Sequence, residues 1–452
     1  MVVKISIITF ATLKIQQPMK YRPIDQKLYV ENRKRFVASL LPNAIAFFNS
    51  NDEMPRNGDQ NFPFRQNSDF LWLTGIDQEQ CILVICPNHP LAEYREALFL
   101  RKTNDHIAVW EGHKYTKEEA RAASGIQHVY WTDEFTTMLP VMMHHTQAVY
   151  VNLNENDRFV TEVPYREMRF AEMLKNKYPH HHYERSGPVM ANMRSVKHAL
   201  EIEALQTACN ITESAFRRVL GFVKPGVTEY EVEAEITHEF IRNRANGHAY
   251  TPIIASGASA CVLHYVDNNK AMNDGEVALL DFGADYANYA ADLTRSIPVN
   301  GKFTRRQRDV YNAVLRVMRA ATKMLVVGNV IPKYHEEVGK IMEAELIGLG
   351  LLKEAEVRKQ DPRQPLYKKY FMHGTSHFLG LDVHDIGNRY EPMKAGNVFT
   401  CEPGIYIPEE ALGIRIENDI LITENGPVDL MAKIPIEAEE IEELMAKNKI
   451  VA

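Results

Sequence analysis

The stretch "GEVALLDFGADYANYAADLTRSI", Gly275 to Ile297, sets two aspartates inside apolar, strand-like runs. Asp281 follows Ala278, Leu279 and Leu280, and Asp292 follows Tyr289, Ala290 and Ala291. A buried carboxylate is costly unless its charge is compensated. As an antiparallel hairpin centred on Tyr286 and Ala287, the stretch places Asp281 opposite Asp292 on one face, with Cβ atoms roughly 5 Å apart. Two such carboxylates repel, and burial sharpens the conflict.

A second stretch repeats the first. "GNVFTCEPG" (Gly396 to Gly404) aligns without gaps on "GEVALLDFG" (Gly275 to Gly283) at an offset of 121 residues, matching Gly, Val, an acid and Gly. Asp281 and Glu402 therefore share one place in the repeat. Each segment follows two helical stretches and leads to a second acid, Asp292 or Glu417. Chance agreement at four positions is the alternative; the shared helix-helix-hairpin order favours duplication. A turn around Glu409 and Glu410 would set Glu402 opposite Glu417. Four carboxylates from two hairpins would then surround a site fit for two divalent cations, and a histidine would complete the set. "HGTSHFLGLDVHD", His373 to Asp385, offers three histidines. His264 in "CVLHYVD" lies 17 residues before Asp281, much as His384 lies 18 before Glu402, so the repeat extends toward the histidines.

The bulk properties suit such a site in a soluble globular protein. At 452 residues the chain exceeds one ordinary core, so two domains are expected. Its net charge of −7, from 59 acids and 52 bases without a long run of either sign, argues against nucleic acid or an anionic membrane as partner. Five cysteines, mostly in apolar runs, read as reduced core thiols of a cytosolic protein. No apolar run is long enough to cross a bilayer. The opening "MVVKISIITFATL" lacks a small-residue cleavage site and reads as an N-terminal extension over 1–18, with the fold beginning near Met19.

From Tyr21 to Tyr183 the texture is mixed: "CILVIC" and "QAVYVNL" look like buried strands, and "TKEEARAAS" like a short helix. After "SGPVMANMRS" long amphipathic helices begin, with Ile202, Leu205, Cys209, Thr212, Phe216 and Val219 on one face. The boundary falls near Ser186 to Arg194, dividing an α/β domain (19–190) from an α+β domain (191–452). Thr228 with Glu231, and Thr304 with Gln307, mark two helix starts, with stops expected at Gly247 and near Gly328.

These residues resemble a known family. "DFGADYANYAADLTRSIPVNGKFT", "HGTSHFLGLDVHD", "CEPGIYIP" and "GIRIEND" are similar to the metal-binding motifs of Xaa-Pro aminopeptidase (aminopeptidase P), a "pita-bread" metallopeptidase. "RNGDQNFPFRQNSDFLWLTG", Arg56 to Gly75, looks like the signature of that family's N-terminal domain. The resemblance implies the metal ligands Asp281, Asp292, His377, Glu402 and Glu417, holding two ions, usually manganese. Ligand chemistry alone suits manganese, cobalt, iron or zinc. It further implies Glu402 as the proton carrier, His264, His373 and His384 around the scissile bond and the proline ring, and Asp59 and Arg415 in a polar relay with Glu417. Tyr250 and Tyr406 are candidates for the wall of the site. The implied reaction is attack of a metal-bridging hydroxide on the first peptide bond of a peptide with proline second. Proline lacks an N–H and has a fixed φ, so ordinary strand-reading sites reject it.

The resemblance also implies a homo-oligomer, dimer or tetramer, while the charge balance gives the expectation of no nucleic acid or membrane partner. A prolidase, cutting only Xaa-Pro dipeptides, is the nearest alternative. A non-catalytic peptide-binding protein is more remote, because all five ligand types are intact. His144, His145 and His180 to His182 read as solvated surface, and Cys261 and Cys401 as packing. Trp110 has two readings, core packing or reach into a substrate pocket, including that of a neighbouring subunit.

Overall fold

The computed structural model describes residues 20–447; the expected extension and the start near Met19 lie outside them. The first half builds a mixed six-stranded sheet. Its order is His128–Trp131, Glu96–Leu100, Ile82–Ile85, Ala44–Asn49, Ala148–Val151, His182–Arg185. Ala44–Asn49 is buried throughout, antiparallel to Ile82–Ile85 and parallel to Ala148–Val151. Strands covered on both faces need unbroken apolar runs, and that is how these read in the sequence. One face packs Phe47, Phe99, Phe135 and Val149 under flanking helices. The other packs Phe36, Phe48, Leu71 and Trp72, and this layer runs on into the core of the second half. The Trp72 indole N–H donates to Glu201 at 3.1 Å across that junction.

The second half opens with Ala199–Phe222, which buries Leu205, Cys209, Thr212, Phe216 and Val219, the expected apolar face. Glu229–Arg242 and Arg305–Thr322 start in the expected capping boxes. They stop at Arg242 and Thr322, short of the glycines. Arg244 already turns the chain at a φ of 72°, and Gly247 belongs to the short strand that follows.

Two helices thus precede the sheet of Ile253–Ser256, Val277–Phe282 and Leu293–Pro298. Two more, Arg305–Thr322 and Ile331–Gly348, precede the sheet of Val398–Cys401, Asn418–Thr423 and Gly426–Asp429. The two sheets meet at Thr294 and Glu417, where the Glu417 N–H donates to the Thr294 carbonyl at 3.0 Å. This junction carries the acids of both repeats to one place.

All five cysteines are free thiols, four buried and Cys261 partly so, as packing residues would be. Among the described residues no helix is long and apolar enough to cross a membrane. Core packing is excluded for Trp110, which is 77% exposed on Asp105–Glu111.

Candidate metal centre

The first hairpin differs from its expected register. Asp281 pairs with Thr294 and Phe282 with Leu293, while Tyr286 pairs with Tyr289. The turn residues are therefore Ala287 and Asn288, at φ values of 54° and 66°, and not Tyr286 and Ala287. Nothing in an alanine announces left-handed backbone, which is why the pattern misplaced the turn. The resulting shift of two residues preserves the face of every side chain. Asp281 and Asp292 are consequently diagonal neighbours, not opposite ones. Between them, a Cβ on Gly283 would lie 1.6 Å from the Ala291 carbonyl oxygen, so only glycine fits this close approach. The Tyr250 hydroxyl spans the pair, 2.6 Å from Oδ1 of Asp281 and 2.6 Å from Oδ1 of Asp292.

The second hairpin keeps one register along its length, from Val398 opposite Leu421 to Ile407 opposite Leu412. That register sets Glu402 opposite Glu417. The histidine loop is tied to it: the His377 N–H donates to Thr400 Oγ1 at 3.2 Å, and the Glu402 N–H to the Thr375 carbonyl at 2.8 Å.

Asp292, His377 and Glu417 each offer a ligand atom within 4.8 Å of the others, the one such group found among the described residues. His377 Nε2 lies 3.5 Å from Asp292 and 3.6 Å from Glu402. Its Nδ1 lies 2.9 Å from the Phe378 carbonyl, which can only accept, so Nδ1 carries a proton and Nε2 faces the acids; burial lowers the ring's pKa, but Asp292 and Glu402 outweigh it and raise it. Asp281 stands outside the trio because Arg415 holds its Oδ2 at 2.5 Å.

The electrostatics are those of donors lacking a counter-ion. Burial raises the pKa of Glu402 to about 7; Asp292 adds to this against the pull of His377. Burial, then Asp292, Glu402 and Asp281, push Glu417 well above its ordinary value. Burial raises Asp281 also, with Arg415 opposing and Asp292 reinforcing. Four carboxylates and one imidazole, crowded and desolvated, fit hard or borderline divalent ions.

Around this centre, His384 meets His377 edge to face with ring centroids 4.4 Å apart. His373 Nε2 lies 2.8 Å from the Tyr406 hydroxyl, which accepts from Arg415 at 2.9 Å. Burial lowers both histidines to about 3, helped by Arg415 at His373 and by His377 at His384. They are neutral near pH 7. His264 is exposed, close enough to disfavour charge on both.

The relay differs from expectation. Asp59 is exposed on the turn between Pro55–Asn57 and Gln60–Asn61, hydrogen-bonded to Gln60, and is not brought to Arg415. Arg415 pairs with Asp281 and reaches Glu417 only through Thr294. The Arg415 Nε–H donates to the Thr294 hydroxyl at 3.1 Å, and that hydroxyl donates to Glu417 at 2.6 Å. The sequence analysis missed Thr294; the available signal was its place two residues after Asp292, on the same face of the strand.

A second set of charges fixes the loop carrying His384. Arg194 Nη1 lies 2.7 Å from Asp69, Nη2 lies 2.8 Å from Asp382, and Nη2 also pairs with Asp385. Lys197 Nζ meets Asp385 at 2.9 Å, both side chains 1% exposed. From the first half, Asn156 donates to the His384 carbonyl at 3.0 Å. A cavity of about 1490 Å³ opens beside His377 and His384, between the two halves.

Residues 203–424 match the model of metallopeptidase family M24, and 29–150 match the aminopeptidase P N-terminal domain. The chain is 35% identical to a Xaa-Pro aminopeptidase of Haemophilus influenzae, over 93% of this chain and 98% of that one. The chain belongs to metallopeptidase family M24. Within it, the match of both halves places it in the aminopeptidase P branch, as a metallo-aminopeptidase that uses divalent metal ions. Zinc-substituted Escherichia coli aminopeptidase P in complex with product superposes with a TM-score of 0.84 at 32% identity, covering 95% of this chain and 100% of that one. A Xaa-Pro dipeptidase of Mus musculus is 30% identical over 93% of each chain. The two domains of the M24 aminopeptidases are therefore both present, an aminopeptidase P N-terminal domain and a pita-bread domain.

Proposed function

We propose that this protein releases the N-terminal residue from peptides with proline in second position, and that Asp281, Asp292, His377, Glu402 and Glu417 hold its two metal ions. The observation carrying this reading is the convergence of Asp292, His377 and Glu417 within 4.8 Å. Manganese is the proposed metal, a choice consistent with a carboxylate-rich donor set. When bound, the ions supply a nucleophilic hydroxide and an electrostatic sink for the charge that develops on the carbonyl. Glu402, beside His377 and His373, takes the proton and returns it to the leaving nitrogen. Neutral His373 and His384, with the exposed His264, flank the scissile bond and the proline ring. Arg415 and Thr294 fix the orientation of Asp281 and Glu417; Tyr250 and Tyr406 form the wall.

The domains are taken as 19–190 and 191–452, and the protein as a cytoplasmic homo-oligomer, dimer or tetramer, with no nucleic acid or membrane partner. The prolidase reading has one specific support, the likeness to the mouse dipeptidase. The wide cavity beside His384 favours longer peptides.

The deciding experiment follows release of the first residue from a Xaa-Pro dipeptide and a Xaa-Pro-Xaa tripeptide, on metal-stripped protein with and without manganese. Tripeptide cleavage that returns only with metal is expected. Cleavage of the dipeptide alone would make the protein a prolidase. Metal binding without turnover of either would leave a peptide-binding protein.

A further inference from the structure

We infer that Arg65, in the signature stretch of the first domain, is a positioning residue for the metal centre: its guanidinium ties the turn of the first hairpin to the histidine loop and so fixes where Asp292 and His384 point. This rests on the ligand assignment proposed above and adds to it a part played by the other domain. The stretch Arg56 to Gly75 supplies none of the proposed ligands, yet its middle faces the catalytic domain. Arg65 Nη1 pairs with Asp285 and donates to Asn288 Oδ1 at 2.5 Å; Nη2 donates to the Asn288 carbonyl at 3.0 Å and to the Leu381 carbonyl at 2.6 Å. Four of the five guanidinium N–H groups are thereby engaged by two segments nearly a hundred residues apart in the chain. Only a planar fork spans both; a lysine ammonium is a point donor.

Both segments lead directly into the centre. Asn288 lies four residues before Asp292, and Leu381 three before His384. Between them the Ala290 N–H donates to the Gly380 carbonyl at 2.8 Å, so displacement of either segment is passed to the other. The turn also needs outside support. Ala287 and Asn288 hold left-handed backbone, which alanine disfavours. Within the hairpin, Asp285 accepts from the Asn288 N–H at 3.0 Å; the remaining polar groups of Asn288 go to the first domain, its Nδ2 to Asp77 at 3.1 Å and both its oxygens to Arg65. Three residues further along the signature, Ser68 Oγ donates to Asp382 at 2.8 Å, gripping the histidine loop a second time. Asp285, Asn288 and Leu381 are buried, whereas the Arg65 side chain is 40% exposed at the edge of the cavity, so replacing it leaves both cores packed. That exposure also defines the competing role, direct contact with the peptide.

The test compares wild type, R65K and R65M as metal-loaded full-length protein. It reads kcat and KM for Ala-Pro-Gly, the melting temperature, and the visible absorption of the cobalt(II)-loaded protein without peptide, which reports the arrangement of the metal ligands. In both variants kcat is expected to fall about tenfold, the low end of the 10- to 100-fold range for outer partners of metal ligands, with KM little changed and the cobalt bands shifted. R65K keeps a charge opposite Asp285 and should melt closer to wild type than R65M, yet lose kcat equally; a clasp that only joins the domains would not separate the two. A cobalt spectrum unchanged in R65K would overturn the inference, and a raised KM beside it would assign Arg65 to the peptide. Wild-type kcat in R65K would overturn it as well. If R65M does not fold, R65K decides by the same readings. If the wild type binds cobalt but cleaves nothing, the proposed activity fails and the spectrum alone decides: shifted bands in R65K sustain the inference, unchanged bands overturn it.

Discussion

Removing the charge of Asp385 should unseat the loop that carries His384, and the size of the effect follows from which cations are left behind. Asp385 faces two: Arg194, which also has Asp69 and Asp382, and Lys197, for which Asp385 is the one salt-bridge partner among the described residues. Breaking a buried ion pair by removing one partner costs about 3–5 kcal/mol, because the other charge stays buried and uncompensated. Arg194 keeps two carboxylates, so D385N should fall at the low end, about 3 kcal/mol, nearly all from stranded Lys197. K197M alone leaves Asp385 paired with Arg194 and should cost about 1–2 kcal/mol, the loss of one charged hydrogen bond.

The double variant D385N/K197M has no stranded cation and should recover most of the difference, giving a coupling of about 2–3 kcal/mol between the sites. Denaturant unfolding of the four proteins, followed through the first transition, measures it. Additivity within about 0.5 kcal/mol would refute the account, since it would mean that Lys197 does not depend on Asp385. Peptidase kinetics should follow the same order, because His384 precedes Asp385 and touches the ring of His377.

Three further outcomes are expected. T294V removes the hydroxyl between Arg415 and Glu417 and should lower metal affinity and kcat/KM roughly 10- to 100-fold, with T294S close to wild type; calorimetric metal titration beside kinetics checks both. Chelation should abolish turnover and lower the melting temperature, since metal at about a hundred times its Kd contributes about 2.7 kcal/mol; an unchanged melting curve would speak against a structural site. In the metal-free protein, Glu402 has a folded pKa of about 7, raised above its unfolded value, so the folded state holds the extra proton. Its stabilisation is full below the unfolded pKa of about 4.3 and disappears as pH rises toward 7. Wild type minus E402Q, compared by melting temperature across that window, should therefore fall with rising pH; parallel profiles would contradict the assignment.

The chemistry of the centre was legible because it depends on parity and spacing. Alternation fixes which face a residue takes, and a hairpin displaced by two residues still gathers Asp281 and Asp292 on one side, where Tyr250 touches both. The second hairpin was readable to the residue, because Pro408, Glu409 and Glu410 mark its turn in the sequence, even though Ala411 in the same loop is left-handed at a φ of 50°. Capping boxes were equally legible, being satisfied within four consecutive residues.

What the sequence hid depends on contacts between distant segments. Ala287 adopts left-handed backbone because the strands on either side demand it, not because alanine prefers it. Asp59 lies on an exposed hairpin that no local pattern distinguishes from one folded over the site. Thr294 gains its role only when the second repeat brings Glu417 against the first, at the junction of the two half-sheets. Arg194 and Lys197 lie in the connection between domains, a place where charges read as solvated, yet both are buried against a loop nearly two hundred residues away. The centre is thus built in two steps of different legibility: duplication places the acids, and the packing of one half on the other orients them. Substitutions at the acids should abolish metal binding outright, whereas those at Thr294, Arg194 and Lys197 should grade it.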